Sequence, residues 1–181
     1  MFFKKKKSVA VLGSTGSIGK TSLSIIKKNL KFLRIDLLSA RSNKHLLLKQ
    51  IKTYLPRYVI INDEKNFYFF QKLTFKKKIK FFLNVHDFNK YNKNKKIKFQ
   101  KTILGISSIN GLDYGFAFLN FSEEILIANK ETIICGGKLF LNLAKKKKCK
   151  ITSIDSEHFC LANLLSFVKK KEINNVYITA S

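Results

Sequence analysis

Asp155, Ser156, Glu157 and His158 follow one another in a chain that holds only 11 acids among 181 residues. In an extended segment, Asp155 and Glu157 point to the same side. Two carboxylates on one side make half of a site for a hard cation, suited to Mg2+ or Mn2+. The same residues have a second use, because Asp155 or Ser156 can cap an amphipathic helix over Phe159 to Val168.

A second stretch able to do chemistry lies near the start. Val9 to Leu12 is a short apolar run, and Gly13, Gly16 and Gly19 follow it at equal intervals. Apolar residues then recur at helical spacing, with Ile18, Ile25, Ile26 and Leu30 on one face and Leu23 beside it. Strand, tight turn and helix in this order aim the unpaired amides of a helix start at an anion, most often a phosphate. The spacing G-x-x-G-x-x-G differs from the dinucleotide fingerprint G-x-G-x-x-G. Gly19-Lys20-Thr21 imitates the end of a P-loop, but a P-loop would need glycine where Ser14 stands, which argues against a nucleoside triphosphatase. A glycine-rich turn that binds nothing remains open.

A third stretch, Ala40-Arg41-Ser42-Asn43, closes the second predicted strand, Arg34 to Ser39. An acid at that corner would bind a ribose 2′-hydroxyl, and Asp36 comes too early for the role. A cation, a hydroxyl and an amide suit a 2′-phosphate instead, which favours NADP over NAD; an ordinary surface arginine is the other reading.

The elements that must position these residues alternate. Further strands are expected at Tyr58 to Ile61, Thr102 to Ser107 and Glu124 to Ala128. Helices are expected over His45 to Leu55, ended by Pro56, over Asn66 to Leu73 and over Gly111 to Leu119. Ile133, Ile134, Phe140, Leu143 and Ala144 form the apolar face of another helix. Phe75 to Gln100 reads as a weak strand and a variable loop, and Val176 to Ser181 as a closing strand. Alternation of this kind means an α/β fold with a Rossmann-like, doubly wound parallel sheet. Ligands bind at the carboxyl ends of such strands. That rule gathers Gly13 to Gly19, Arg41 to Asn43, Ser107 to Asn110 and Asn129 to Glu131 on one edge.

Composition sets the outer limits. The chain is 45% hydrophobic, as a globular protein is, and carries 36 Lys plus Arg for a net charge of +25. Such a charge suits a polyanion partner. The lysine runs, however, are spread over loops and helix ends along the whole chain, as solvated surface would be. Cys135, Cys149 and Cys160 form no C-x-x-C pair, which points to free thiols in a reducing compartment. The apolar run after Lys4 to Lys7 is too short for a signal-peptide core, and no run approaches the length of a membrane span. A cytoplasmic protein without a membrane partner is expected.

Taken together, Gly13-Ser14-Thr15-Gly16-Ser17-Ile18-Gly19, Pro56-Arg57-Tyr58, Ala128-Asn129-Lys130-Glu131, Asp155-Ser156-Glu157-His158 and Thr179-Ala180-Ser181 resemble the 1-deoxy-D-xylulose 5-phosphate reductoisomerase family, in family order and over essentially the whole chain. The resemblance implies NADPH over the glycine turn, bound by Gly13 to Gly19 and Ala40 to Asn43, with Thr15 to Ile18 at the pyrophosphate and Arg41 to Asn43 at the 2′-phosphate. It implies Asn129 and Glu131 near the nicotinamide, and Lys130, Ser156, Glu157 and Ser181 on a phosphosugar substrate. Lys130 and Glu157 would be the catalytic pair, and Asp155 and Glu157 the ligands of Mn2+ or Mg2+, with Co2+ a further choice. The implied reaction is a metal-assisted rearrangement of 1-deoxy-D-xylulose 5-phosphate, then hydride transfer from NADPH to give 2-C-methyl-D-erythritol 4-phosphate in non-mevalonate isoprenoid synthesis.

Two departures qualify the resemblance. Ser108 stands where the family usually has glycine, and the family's chain runs on for about as long again. The expected organisation is therefore an NADP-binding domain over residues 1–150 and the start of an incomplete α+β catalytic domain over 151–181, inactive alone. The third metal carboxylate, the substrate-covering loop and the helical domain are expected to be missing, and with them most of the contacts through which the family usually forms homodimers. A catalytically dead basic module binding nucleotides or nucleic acid is the alternative.

Overall fold

A computed structural model describes residues 6–75 and 78–177, with the side chain of Lys170 also left aside. Seven parallel strands form one sheet in the order β4-β3-β2-β1-β5-β6-β7. The strands are β1 Lys7–Leu12, β2 Leu33–Ala40, β3 Tyr58–Ile61, β4 Lys80–Phe82, β5 Phe99–Leu104, β6 Ser122–Ile127 and β7 Lys150–Ser153. Helices α1 Ser17–Lys28, α2 Lys44–Tyr54, α3 Glu64–Gln71, α4 Val85–Lys95, α5 Asn110–Phe118 and α6 Lys130–Lys146 connect them. The order reverses between β1 and β5, so their carboxyl ends diverge and leave the crevice in which doubly wound sheets bind ligands. The seventh strand spans the boundary expected near residue 150 and pairs with β6 in the same sheet.

The alternation of side chains along β1 builds both cores. Val9 and Val11 face Leu23, Ile26, Leu47 and Ile51, while Ala10 and Leu12 face the side of Phe88, Phe118 and Phe140. All four are buried, as in a strand covered on both faces. The second core is aromatic. Phe88 lies parallel to Phe118 at 5.9 Å and edge-on to Phe82 and Phe121. Across the sheet, Glu124 on β6 pairs with Lys101 on β5 and accepts from Thr152 on β7.

Several expectations are corrected. The segment read as a weak strand and loop contains β4 and the whole of α4. That helix is capped by Asn84 and buries Val85, Phe88 and Asn92, but its outer face of lysines and asparagines hides the period. On α1 the buried stripe is Gly19, Leu23 and Ile26; Ile25 is 57% exposed, because the close approach of Gly19 to the turn sets the helix's rotation. Ile134 on α6 is also exposed, while its neighbour Ile133 packs against the core. Helix α7 (Ser156–Ser166) buries no residue against the sheet. Val176 and Tyr177 are not in a strand, and the rest of the expected closing strand, with Ser181, lies outside the described residues.

The aromatic stack predicts that Phe88→Ala costs about 3–5 kcal/mol of stability in urea unfolding. Phe167→Ala, at an exposed ring, is expected to stay within about 0.5 kcal/mol.

Candidate active site

Gly13 ends β1 with a φ of +76°, in the left-handed region that favours glycine. A Cβ there would stand 2.9 Å from the carbonyl oxygen of Gly105, at the end of β5. The chain then turns tightly, with the Gly16 amide donating to the Gly13 carbonyl at 3.0 Å. Helix α1 starts with Gly16 at its cap, no side-chain cap and no acid in its first turn. Its first amides are left for an anion.

Two adjoining clefts lie along this edge and share Gly105, Ile106 and Ser107. The first measures 330 Å³, and its lining includes Gly13, Thr15 and Gly16 with Ala40, Arg41 and Ser42. Arg41 is exposed and makes no ion pair among the described residues. Asn43 lies beside this corner, where its side-chain carbonyl accepts the Leu46 amide at 3.1 Å and caps α2. Ser14 is fully buried, and its hydroxyl donates to Gln50 at 2.7 Å, away from the cleft.

The second cleft, of 310 Å³, is lined by Ile18, Asn129, Lys130, Glu131, Asp155 and Glu157 among others. Ile18 lines this cleft and lies against Gly105. Asn129 is buried and caps α6 by accepting the Thr132 amide. Its own amide donates to the carbonyls of Ile106 at 2.6 Å and Ser108 at 2.8 Å. Ser108 holds a φ of +59°, the conformation glycine takes freely, so Asn129 fastens a loop that costs serine some strain. The Lys130 ammonium is 3.8 Å from Glu157, and both side chains are 53% exposed.

Asp155 and Glu157 share this cleft, but not as neighbours in a strand. Asp155 is the extended cap of α7, and Glu157 lies in its first turn. Asp155 accepts both the His158 amide at 3.0 Å and its Nδ1 at 2.7 Å. The structure thus shows Asp155 as the cap of α7, with both contacts to His158 made through Oδ1. Burial pushes the Asp155 carboxyl up, but the His158 contacts outweigh it and hold the carboxyl below its ordinary value. Hydrogen bonding from Ser156, then its own amide and the Lys130 charge, lower that of Glu157. Both are ionised at neutral pH. Among the described residues no third acid, histidine or cysteine completes a metal cluster with them.

Sequence reasoning did not single out Asn62, Gly105 and Tyr114 in the first cleft, nor Ser39 and Gln50 behind it. Asn62 and Gly105 directly follow β3 and β5, so the strand-end rule could have found them. Burial pushes the Tyr114 hydroxyl up to about 12, helped by the Asp113 charge.

The family model for 1-deoxy-D-xylulose 5-phosphate reductoisomerase matches residues 9–137. The enzyme of that name from Pelagibacter ubique (strain HTCC1062) is 40% identical over 97% of this chain and 45% of its own length. The chain thus spans about half the length of the curated relatives it matches. A structure of the Zymomonas mobilis enzyme in complex with NADPH superposes with a TM-score of 0.75 at 22% identity, over 85% of this chain and 40% of that one, a likeness of fold. A DOX-P reductoisomerase in complex with NADPH, fosmidomycin and magnesium gives 0.72 at 27% identity, over 84% and 37%. With the glycine turn, the Asn129 clasp and the paired carboxylates on one edge of such a sheet, this chain belongs to the 1-deoxy-D-xylulose 5-phosphate reductoisomerase family.

Proposed function

We propose that the chain binds NADPH across the two clefts and forms the cofactor-binding portion of a reductoisomerase acting on 1-deoxy-D-xylulose 5-phosphate. The carrying observation is the continuity of the clefts. The glycine turn and Arg41, which makes no ion pair among the described residues, lie at one end, and a lysine and two ionised carboxylates at the other. A relative at 27% identity holds NADPH and magnesium together. In this reading residues 1–150 serve the cofactor, and 151–181 begin the catalytic part.

Thr15 to Ile18 would offer backbone amides to the pyrophosphate. Arg41 and Ser42 would meet the 2′-phosphate, with Asn43 holding the helix start beside them. Asn129 keeps the loop between the clefts in place, and Glu131 lies on the nicotinamide side. Bound NADPH supplies the hydride. Asp155 and Glu157 fit a divalent cation as two hard, charged donors on one cleft, and such a cation supplies Lewis-acid polarisation of substrate oxygens. Lys130 would touch substrate and offset negative charge as it develops. Ser156 is a further substrate contact in this proposal, as is Ser181 at the substrate phosphate. Two carboxylates under-fill a hard-cation site, and Lys130 and Glu157 stand half in water, where electrostatic help is weak.

A basic polyanion-binding module is the second reading. One observation favours it: a 340 Å³ cleft at the opposite edge of the sheet, where Lys6, Lys7, Arg34, Arg57 and Lys98 outnumber the buried Asp36. RNA binding that persists at physiological salt would support it over the first reading.

Direct titration is expected to show NADPH binding tighter than NADH, with Arg41→Ala narrowing the preference by about tenfold. The 181-residue chain given substrate, NADPH and Mn2+ is expected to show no NADPH oxidation; steady oxidation would contradict that. Asp155→Asn is expected to keep the cap, within about 0.5 kcal/mol of wild-type stability, while weakening Mn2+ binding. Asp155→Ala should lose both, with a stability cost of about 1 kcal/mol. The Asp155 carboxyl is lowered on folding, so its contribution is present above its ordinary value of 3.8 and fades as pH falls through the lower folded value. Acid titration of wild type against Asp155→Asn checks this.

A further inference from the structure

Gln50 lies on α2, on the face that buries Leu47 and Ile51, and is itself buried. Its side chain reaches the glycine turn and makes two hydrogen bonds to one residue. Oε1 accepts from the Ser14 hydroxyl at 2.7 Å, and Nε2 donates to the Ser14 carbonyl at 2.8 Å. From β2, Ser39 holds Ser14 and its neighbour Gly13: its hydroxyl accepts the Gly13 amide at 3.0 Å and its carbonyl accepts the Ser14 amide at 2.8 Å.

These bonds decide where the next amide points. The peptide between Ser14 and Thr15 is trans, so its carbonyl and its N–H lie on opposite sides. Gln50 draws the carbonyl into the protein, which turns the Thr15 N–H outward, toward the cleft that Thr15 lines. A free peptide could rotate and offer its carbonyl to the cleft, where it would repel a phosphate. The position that denies a P-loop is thus an anchor for the cradle's backbone.

We propose that Gln50, acting through Ser14, is a positioning residue that orients the turn's amides for the dinucleotide pyrophosphate. This rests on the NADPH reading above and adds a residue remote from the ligand. Gln50→Met keeps the volume and removes both bonds. It is expected to weaken NADPH and NADH alike by about tenfold, keeping their ratio within about twofold, because the 2′-phosphate corner is untouched. Leu47→Ala, on the same helix, is the structural control: it should lower the melting temperature and leave both affinities unchanged below it. Ser14→Ala, which spares the Nε2 bond, guards against a Gln50 variant that does not fold, and should show a smaller loss of the same pattern. Unchanged affinities in folded Gln50→Met, or the same affinity loss in Leu47→Ala, would overturn the proposal. If wild type takes no NADPH, the cofactor reading fails separately. Amide exchange at Ser14 and Gly16 then decides: faster exchange in Gln50→Met than in wild type supports the positioning role, and equal rates overturn it.

Discussion

Helix α1 touches the turn that feeds it. A Cβ on Gly19 would stand 2.3 Å from the Gly13 carbonyl oxygen and 2.5 Å from the Ser14 Cα, and one on Gly13 would crowd Gly105 at the end of β5. Backbone cannot give way to backbone at such distances, so any larger residue would lift the helix off the sheet. Everything on the carboxyl edge follows from that approach. The helix start comes down over the crevice between β1 and β5. Ile18 is set against Gly105 in the second cleft, and the loop after β5 is brought within reach of Asn129.

Charge is divided by the same geometry. Helices in a parallel α/β sheet run against the strands, so their carboxyl ends gather at the edge away from the crevice. Lysines end α1, α2, α4 and α6 there, where the helix dipole favours cations. Much of the +25 charge is thereby placed far from the proposed cofactor. The acids are scarce, and three of the 11, Glu131, Asp155 and Glu157, line one cleft together with Lys130. A solvated basic shell explains the distribution of the lysines, and the three acids sit at helix starts, Glu131 in α6 and Asp155 and Glu157 in α7, where the dipole favours anions.

The alternation of strands and helices was legible because β1, β2, β3, β5 and β6 each carry a short apolar stretch, Val9 to Leu12, Leu37-Leu38, Val59 to Ile61, Ile103-Leu104 and Ile125 to Ile127, that is mostly buried. Strand-end logic gathered the right loops on one edge. Helix α4 was hidden because its exposed residues, Lys90, Asn94 and Lys95 among them, are those of a loop. The rotation of α1 was misread because glycine contributes nothing to a hydrophobic pattern, yet Gly19 marks the face that packs. At Asp155 the cap is what the structure shows, and the cleft it shares with Glu157 is where the proposed cation would bind. Gln50 lay on a buried helical face in the sequence, but a polar residue there does not name its partner. That Ser14 is its partner depends on α2 lying beside the end of β1.

The central claim is that a dinucleotide occupies the carboxyl edge. Amide chemical-shift mapping of the isotope-labelled chain during NADPH titration tests it most directly. The shifts are predicted at Gly13 to Gly19, at Arg41 to Asn43 and over Gly105 to Asn110, following one binding curve. Shifts confined to the opposite edge, at Lys6, Lys7, Arg57 and Lys98, would contradict the account.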